Sequence, residues 1–66
     1  MSSRREMLSE WYGDGNGRTA ALFHTWSGYE VEFMENNELK ELRRLYEHSR
    51  YFAEDACENW VEEVIK

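Results

Sequence analysis

The last eighteen residues of the chain, 49–66, constrain its fold most, because they predict an amphipathic helix that needs a surface to pack on. Ser49 is a suitable N-cap, since its hydroxyl can accept from the free backbone N–H groups of a first helical turn. One side of the predicted helix is apolar at three- and four-residue spacing. This stripe consists of Ala53, Ala56, Cys57, Trp60 and Val64, and Val61 widens it. The other side carries Glu54, Asp55, Glu58, Glu62 and Glu63.

The composition limits the size of the molecule and its partners. A chain of 66 residues allows one domain, 1–66, and we expect 1–5 to be frayed. The net charge of −6, from 14 acids against 8 lysines and arginines, disfavours direct nucleic-acid binding. The single cysteine excludes an internal disulfide and suits a reducing compartment. We find no secretory signal and no run long enough to cross a membrane, so we expect a soluble, cytoplasmic protein.

Two glycine-containing turns predict a meander of three antiparallel strands. Apolar and polar residues alternate over 18–26 and 29–34, and a shorter candidate strand covers 7–12. Two-residue loops at Asn16-Gly17 and Ser27-Gly28 would place Trp11 opposite Leu22 and Trp26 opposite Tyr29. Both loops then agree on one core face. That face carries Trp11, Leu22, His24, Trp26, Tyr29, Val31 and Phe33.

The segment 38–47 can be read in two ways. Leu39, Leu42 and Leu45 have helical spacing, and an asparagine before them could cap a short helix. Alternatively, Asn36-Asn37 is a third hairpin turn, and the segment is a fourth strand. Local propensity favours the helix.

Few residues suit catalysis or metal binding. The glycine-rich segment 13–17 resembles part of a calcium loop, but the acids that would complete the loop are missing, so a hairpin turn explains it better. His24, His48 and Cys57 lack the close ligand pairs of a structural zinc site. We expect His24 at the core or its rim, His48 in the helix cap, and Cys57 as a small buried group. The sequence therefore predicts no enzyme, no metal and no cofactor.

The strongest candidate for a binding surface is the outer side of the predicted sheet. Tyr12, Phe23 and Met34 lie away from the core face in both predicted hairpins. Exposed apolar clusters of this kind usually mark a contact with another protein. The alternative is that 39–46 folds over them and covers them.

The acids of the C-terminal helix give a second candidate surface. Glu54, Asp55, Glu58 and Glu62 could imitate the charge of a nucleic acid and block a protein that binds one. The simpler interpretation is that they form the solvated face of the helix.

Three short groups of residues near the C-terminus resemble a known pattern. They are His48-Ser49, then 53–56 (AEDA), then 58–61 (ENWV). Together they resemble the C-terminal signature of small uncharacterised proteins of tailed phages of cyanobacteria, in which strands precede a helix of this kind. The resemblance covers about the last twenty residues, and the pair Glu62-Glu63 departs from it. It implies a virus-encoded intracellular protein, a strand before His48-Ser49, and no known activity.

The sequence thus predicts an α+β fold, with a three-stranded or four-stranded antiparallel meander and a C-terminal α-helix packed on one face. The predicted function is a non-enzymatic interaction protein, phage-encoded and located in the host cytoplasm. Its partner would be a host or viral protein, or a second copy in a homodimer. The alternative function is an acidic charge-mimic inhibitor of a nucleic-acid-binding host protein.

Overall fold

In a computed structural model, which describes residues 5–62, four antiparallel strands form one sheet and a helix packs against it. The strands are β1 (Glu6–Tyr12), β2 (Arg18–Thr25), β3 (Gly28–Glu35) and β4 (Glu38–Leu45), in the sheet order β1-β2-β3-β4. The helix is α1 (Arg50–Glu62). The predicted α+β fold is confirmed. Val64 and Glu63 of the predicted helix lie outside the described residues, as do 1–4 of the segment expected to fray.

Residues 38–45 form the strand β4, so the fourth-strand alternative is confirmed and the helix that local propensity favours is wrong. Asn36 and Asn37 both have positive φ angles, of 54° and 67°, and they return the chain alongside β3. Asparagine tolerates this left-handed conformation, which tight hairpin turns require. The backbone groups of Glu38–Leu45 then pair with those of β3. This pairing outweighs the modest helical propensity of the segment.

Both predicted hairpin registers are wrong by two residues, whereas the predicted faces are right. His24, and not Trp26, lies opposite Tyr29, and Trp11 lies opposite Ala20 and not Leu22. A shift of two residues preserves the alternation of a strand, so side chains keep their predicted face.

Trp26 is the exception, because it lies in the turn between β2 and β3 and is 86% exposed. Thr25 closes this turn. Its hydroxyl accepts from the backbone N–H of Ser27 at 3.1 Å and donates to the carbonyl of Gly28 at 3.1 Å. A turn closed by a side chain moves Trp26 out of the predicted core.

The loop between β1 and β2 spans all five residues of 13–17 and holds the helix. The backbone N–H of Gly13 donates to the carbonyl of Arg18 at 2.8 Å and closes the loop. The Asn16 amide donates to the carbonyl of Val61 in α1 at 2.8 Å. A Cβ on Gly13 would lie 2.8 Å from that same carbonyl, so the close approach requires glycine. The loop is therefore a hairpin turn, as expected, and it also fixes α1 on the sheet.

The core lies between α1 and one face of the sheet. The hydroxyl of Ser49 accepts from the N–H of Phe52 at 3.3 Å, which confirms Ser49 as the N-cap of α1. Trp60 stacks on Phe33 with ring centroids 5.1 Å apart. The buried apolar residues are Ala20, Leu22, Val31, Phe33, Leu45, Ala53, Cys57 and Val61. Within residues 5–62 we find no helix long and apolar enough to cross a membrane.

Candidate functional site

The sheet has one face packed against α1 and an opposite face that no described element covers; we call the second the open face. Side chains alternate along each strand, so the register assigns them to one face or the other. The open face carries Met7, Glu10, Tyr12, Thr19, Ala21, Phe23, Glu30, Glu32, Met34, Leu39, Leu42 and Arg44. Because β4 lies in the plane of the sheet, it does not fold over this face. The structure therefore brings Tyr12, Phe23 and Met34 together, and their binding role stays a prediction.

A shallow depression lies in the open face. Tyr12 and Met34 flank Thr19 on neighbouring strands. The next residue of β2 on this face is the small Ala21, and the large Phe23 follows it. The small side chains leave a depression of about 240 Å³ between the larger ones, and Glu10 and Glu32 also line it. A recess with apolar walls and carboxylates beside it can receive one side chain of a partner.

Several apolar side chains of the open face are strongly exposed. Tyr12 is 69% exposed, Leu39 is 52% exposed and Met7 is 50% exposed. Leu39 was not predicted on this face, because the sequence left 38–47 open between a helix and a fourth strand. Met7 was not predicted there because an irregularity between Met7 and Ser9 interrupts the alternation of β1, so that Met7 pairs with Phe23. The exposed apolar surface is thus wider than the predicted trio.

Arg5 lies across the open face and covers part of it. Its guanidinium carbon is 4.0 Å from the ring centroid of Phe23. Nη2 donates to Glu32 Oε2 at 2.9 Å, and Nε is 3.3 Å from Glu30 Oε1. Arg5 was expected to be frayed with the residues before it. Because these contacts join residues 18 to 27 positions apart, no local pattern could have indicated them.

Two tyrosines donate hydrogen bonds to carboxylates of this face. The Tyr12 hydroxyl donates to Glu10 Oε1 at 2.6 Å, and this hydrogen bond raises the pKa of Tyr12. The Tyr46 hydroxyl donates to Glu30 Oε2, which raises the pKa of Tyr46 in the same way. Glu30 is buried although it belongs to the open face, because Tyr46 and Arg5 enclose its carboxylate. Several charges here are therefore already partnered within the chain.

The acids of the predicted acidic surface lie on the outer side of α1, although they differ in exposure and in pairing. Glu54 is half-buried and forms an ion pair with Arg50 at 2.9 Å. Asp55, Glu58 and Glu62 are exposed. Tyr51, which is 82% exposed, lies beside them. This surface combines acids with the exposed aromatic rings of Tyr51 and Phe52, whereas the open face is mainly apolar.

The histidines and the cysteine that were considered for catalysis or metal binding pack against other side chains of the fold. His24 is exposed at the rim and contacts the Tyr29 ring with centroids 5.1 Å apart. His48 stacks on Phe52 beside the helix cap at 4.0 Å. Cys57 is fully buried, and burial, with a smaller effect of Glu54, raises the pKa of its thiol to about 12. Among residues 5–62 no group of three or more His, Cys, Asp or Glu residues is placed to hold a metal ion.

Comparison with protein-family models, with curated proteins and with solved structures gave no match for this chain. The open face therefore has to be interpreted from its own geometry and chemistry.

Proposed function

We propose that this chain is a small, non-enzymatic, phage-encoded interaction protein that binds another protein through its open face. The observation that supports this most strongly is the exposure of Tyr12 and Met7, which line one depression, and of Leu39 beside Met34, on a sheet face without a described cover. Contiguous exposed apolar side chains gain nothing in water and usually mark a contact surface. The phage origin rests on the resemblance at the C-terminus.

The size of the open face suits a protein partner. Four strands about 4.8 Å apart and about eight residues long, at about 3.3 Å per residue, give it a planar area of roughly 400–500 Å². A standard interface buries about 800 Å² of accessible surface on each partner, and accessible surface exceeds planar area. The face therefore provides most of one side of such an interface.

The chemistry of the face also suits protein binding. Apolar side chains lie around the depression, and Glu10 and Glu32 border it. An apolar centre with a charged rim is typical of contacts between proteins. The thiol of Cys57, in contrast, is buried and protonated at neutral pH, so it is a poor nucleophile. These observations favour binding over covalent catalysis.

The partner is either another protein or a second copy of this chain. A homodimer would place two open faces against each other around a two-fold axis, so that each depression receives a side chain of the other copy. Sedimentation velocity over a range of protein concentrations distinguishes this arrangement from binding of a different protein.

The proposal is tested with a pair of double variants. Tyr12→Ser/Leu39→Ser removes two exposed apolar side chains from the open face. Trp26→Ser/Tyr51→Ser removes two exposed aromatic side chains, which are at least as large, from other parts of the surface. We expect the first variant to lose self-association, or capture of the partner from a cyanobacterial lysate, and the second to retain it. Equal binding by both variants would contradict the proposal.

Charge mimicry by the acids of α1 is the alternative function. The salt dependence of partner binding distinguishes it from binding through the open face. Binding through exposed acids weakens steeply as salt screens charge, whereas apolar contacts persist. A Glu58→Lys/Glu62→Lys variant tests the acidic surface of α1 in the same way as Tyr12→Ser/Leu39→Ser tests the open face. Loss of binding in this variant and in high salt, together with normal binding by Tyr12→Ser/Leu39→Ser, would support charge mimicry instead.

A further inference from the structure

The contacts of Arg5 define a small binding site in the open face, which we call the guanidinium site. It consists of Phe23, Glu30, Glu32 and Tyr46. The ring of Phe23 lies under the guanidinium at 4.0 Å, while Glu32 accepts at 2.9 Å and Glu30 lies at 3.3 Å. Stacking of a guanidinium on an aromatic ring, combined with two carboxylates within reach of its nitrogens, is recognition that suits arginine better than lysine.

The site is formed without any help from the segment that carries Arg5. Phe23 lies on β2, Glu30 and Glu32 lie on the central strand β3, and Tyr46 follows β4. Tyr46 donates to Glu30 and so fixes the position of its carboxylate. Arg5 precedes β1 and is itself exposed. A site formed by paired strands and occupied by a residue that precedes the first strand can exchange its occupant without unfolding the sheet.

Glu30 explains why the site needs a cation. With a guanidinium in place, its carboxylate is buried between that group and Tyr46, and a carboxylate buried in this way is costly unless it is both hydrogen-bonded and paired with a positive charge. Tyr46 supplies the hydrogen bond, and the guanidinium supplies the charge. The net charge of −6 adds a long-range attraction for a positively charged segment.

We propose that the guanidinium site recognises an arginine of the partner, which replaces Arg5, so that Arg5 is a competitor within the same chain. This inference rests on the proposed function and names the chemistry of the partner. Ala21, which lines the depression, lies one open-face position, about 7 Å, from Phe23 along β2, and Phe23 lines the depression as well. Glu32 belongs to the guanidinium site and also lines the depression. The partner is therefore an extended segment with an arginine and an apolar residue two positions apart.

The probe that tests the site is N-acetyl-arginine amide, titrated into the full chain labelled with ¹⁵N and followed by NMR. N-acetyl-lysine amide and N-acetyl-citrulline amide are the controls, because lysine keeps the charge and citrulline keeps the shape. In an Arg5→Ala variant we expect saturable shifts at Phe23, Glu30 and Glu32. Binding of the arginine amide should be at least tenfold tighter than that of either control, and the parent chain should bind it more weakly because Arg5 competes.

Two further variants make the result decisive. The first is Arg5→Lys, which replaces Arg5→Ala if that variant does not fold, because lysine keeps a positive charge beside Glu30. The Arg5→Lys chain should still bind the arginine amide more tightly than the parent chain. Glu32→Gln in the same background should weaken that binding severalfold. A folded Arg5→Ala or Arg5→Lys chain without saturable shifts, or with equal affinity for lysine and arginine, would show that Arg5 is a structural contact only.

The outcome is independent of the proposed function, because the probe is not the partner. Tyr12→Ser/Leu39→Ser leaves the four residues of the guanidinium site unchanged, so arginine binding should persist in that background. Arginine binding without an effect of this double variant on partner capture would support the site and contradict Tyr12 and Leu39 as the main contact. Loss of partner capture in this double variant, without arginine binding by the chain, would support Tyr12 and Leu39 as the contact and contradict the guanidinium site.

Discussion

The two faces of the sheet are built from adjacent residues of the same strands, yet they differ in burial and in chemistry. Leu22 and Val31 point toward α1 and are fully buried. Their neighbours Phe23 and Glu32 point the other way and are half-buried, partly under Arg5. An antiparallel sheet needs only one apolar face to pack against a helix, and the other face is usually polar. The apolar side chains of the open face are therefore unexplained by folding, which is why we assign them to binding.

Trp60→Ala should have the largest effect, because it removes the ring that joins α1 to the covered face. The ring stacks on Phe33, and its Nε1 donates to the carbonyls of Thr19 at 3.0 Å and Met34 at 3.2 Å. We expect a loss of about 3–5 kcal/mol in the free energy of unfolding, measured by urea denaturation. The matched control is Trp26→Ala, which should leave the unfolding midpoint unchanged. Similar losses in the two variants would mean that α1 does not dock through Trp60.

Gly17→Val should have the next largest effect, because it disturbs the loop that holds α1 over the covered face. Gly17 has a φ angle of 74°, and a Cβ there would contact the side chain of Asn36. We expect a cost of about 2–3 kcal/mol in thermal or urea denaturation. Gly15→Val is the control, since Gly15 has a φ angle of 79° and no heavy atom within 4 Å of a Cβ. It should cost about 1 kcal/mol, from backbone strain alone. A larger cost at Gly15 than at Gly17 would contradict the packing described for the loop.

Ser49→Ala should have a smaller effect, confined to the start of the helix that covers one face. The substitution removes the hydroxyl that accepts from the N–H of Phe52. We expect a loss of about 1 kcal/mol in the free energy of unfolding. Ser49→Asp, which retains an acceptor, should restore most of it. A neutral Ser49→Ala would mean that α1 begins at another residue.

Tyr12→Ser/Leu39→Ser should have the smallest effect on stability, because both side chains belong to the open face and are mostly exposed. We expect an unfolding midpoint equal to that of the parent chain, measured by circular dichroism, although binding is lost. A clear fall in the midpoint would mean that these side chains contribute to folding, and the contrast between the two faces would no longer hold.

For most residues of β1, β2 and β3 the face could be predicted from the sequence, because it follows alternation; Met7, beyond the irregularity in β1, and Trp26, in a turn, are the exceptions. Glycine turns and the apolar stripe of the helix were also sufficient to predict a meander with α1 on one side. The register could not be predicted in this way. It depends on the hydroxyl of Thr25 in one turn and on the contact of Asn16 with Val61 in the other loop. Such contacts leave no periodic signal.

β4 and the guanidinium site could not be predicted from local sequence, because both depend on contacts between residues in separate segments of the chain. Leu39, Leu42 and Leu45 suggest a helix by spacing, and only pairing with β3 makes them part of a strand. Arg5 meets Glu32 across 27 positions of sequence, so its role depends wholly on the completed sheet. The trio Tyr12, Phe23 and Met34 could be found because all three follow the alternation of strands that were correctly recognised.

The most direct test of the contrast between the faces is carbene footprinting of the free chain and of the complex or homodimer recovered by capture. Labelling reports the accessible surface of each side chain in the two states. We expect Tyr12, Leu39 and Met7 to be labelled in the free chain and protected in the assembly, while Tyr51 on α1 is labelled equally in both. Protection of Tyr51 and Glu58 with continued labelling of Tyr12 and Leu39 would contradict the account and assign binding to the helix.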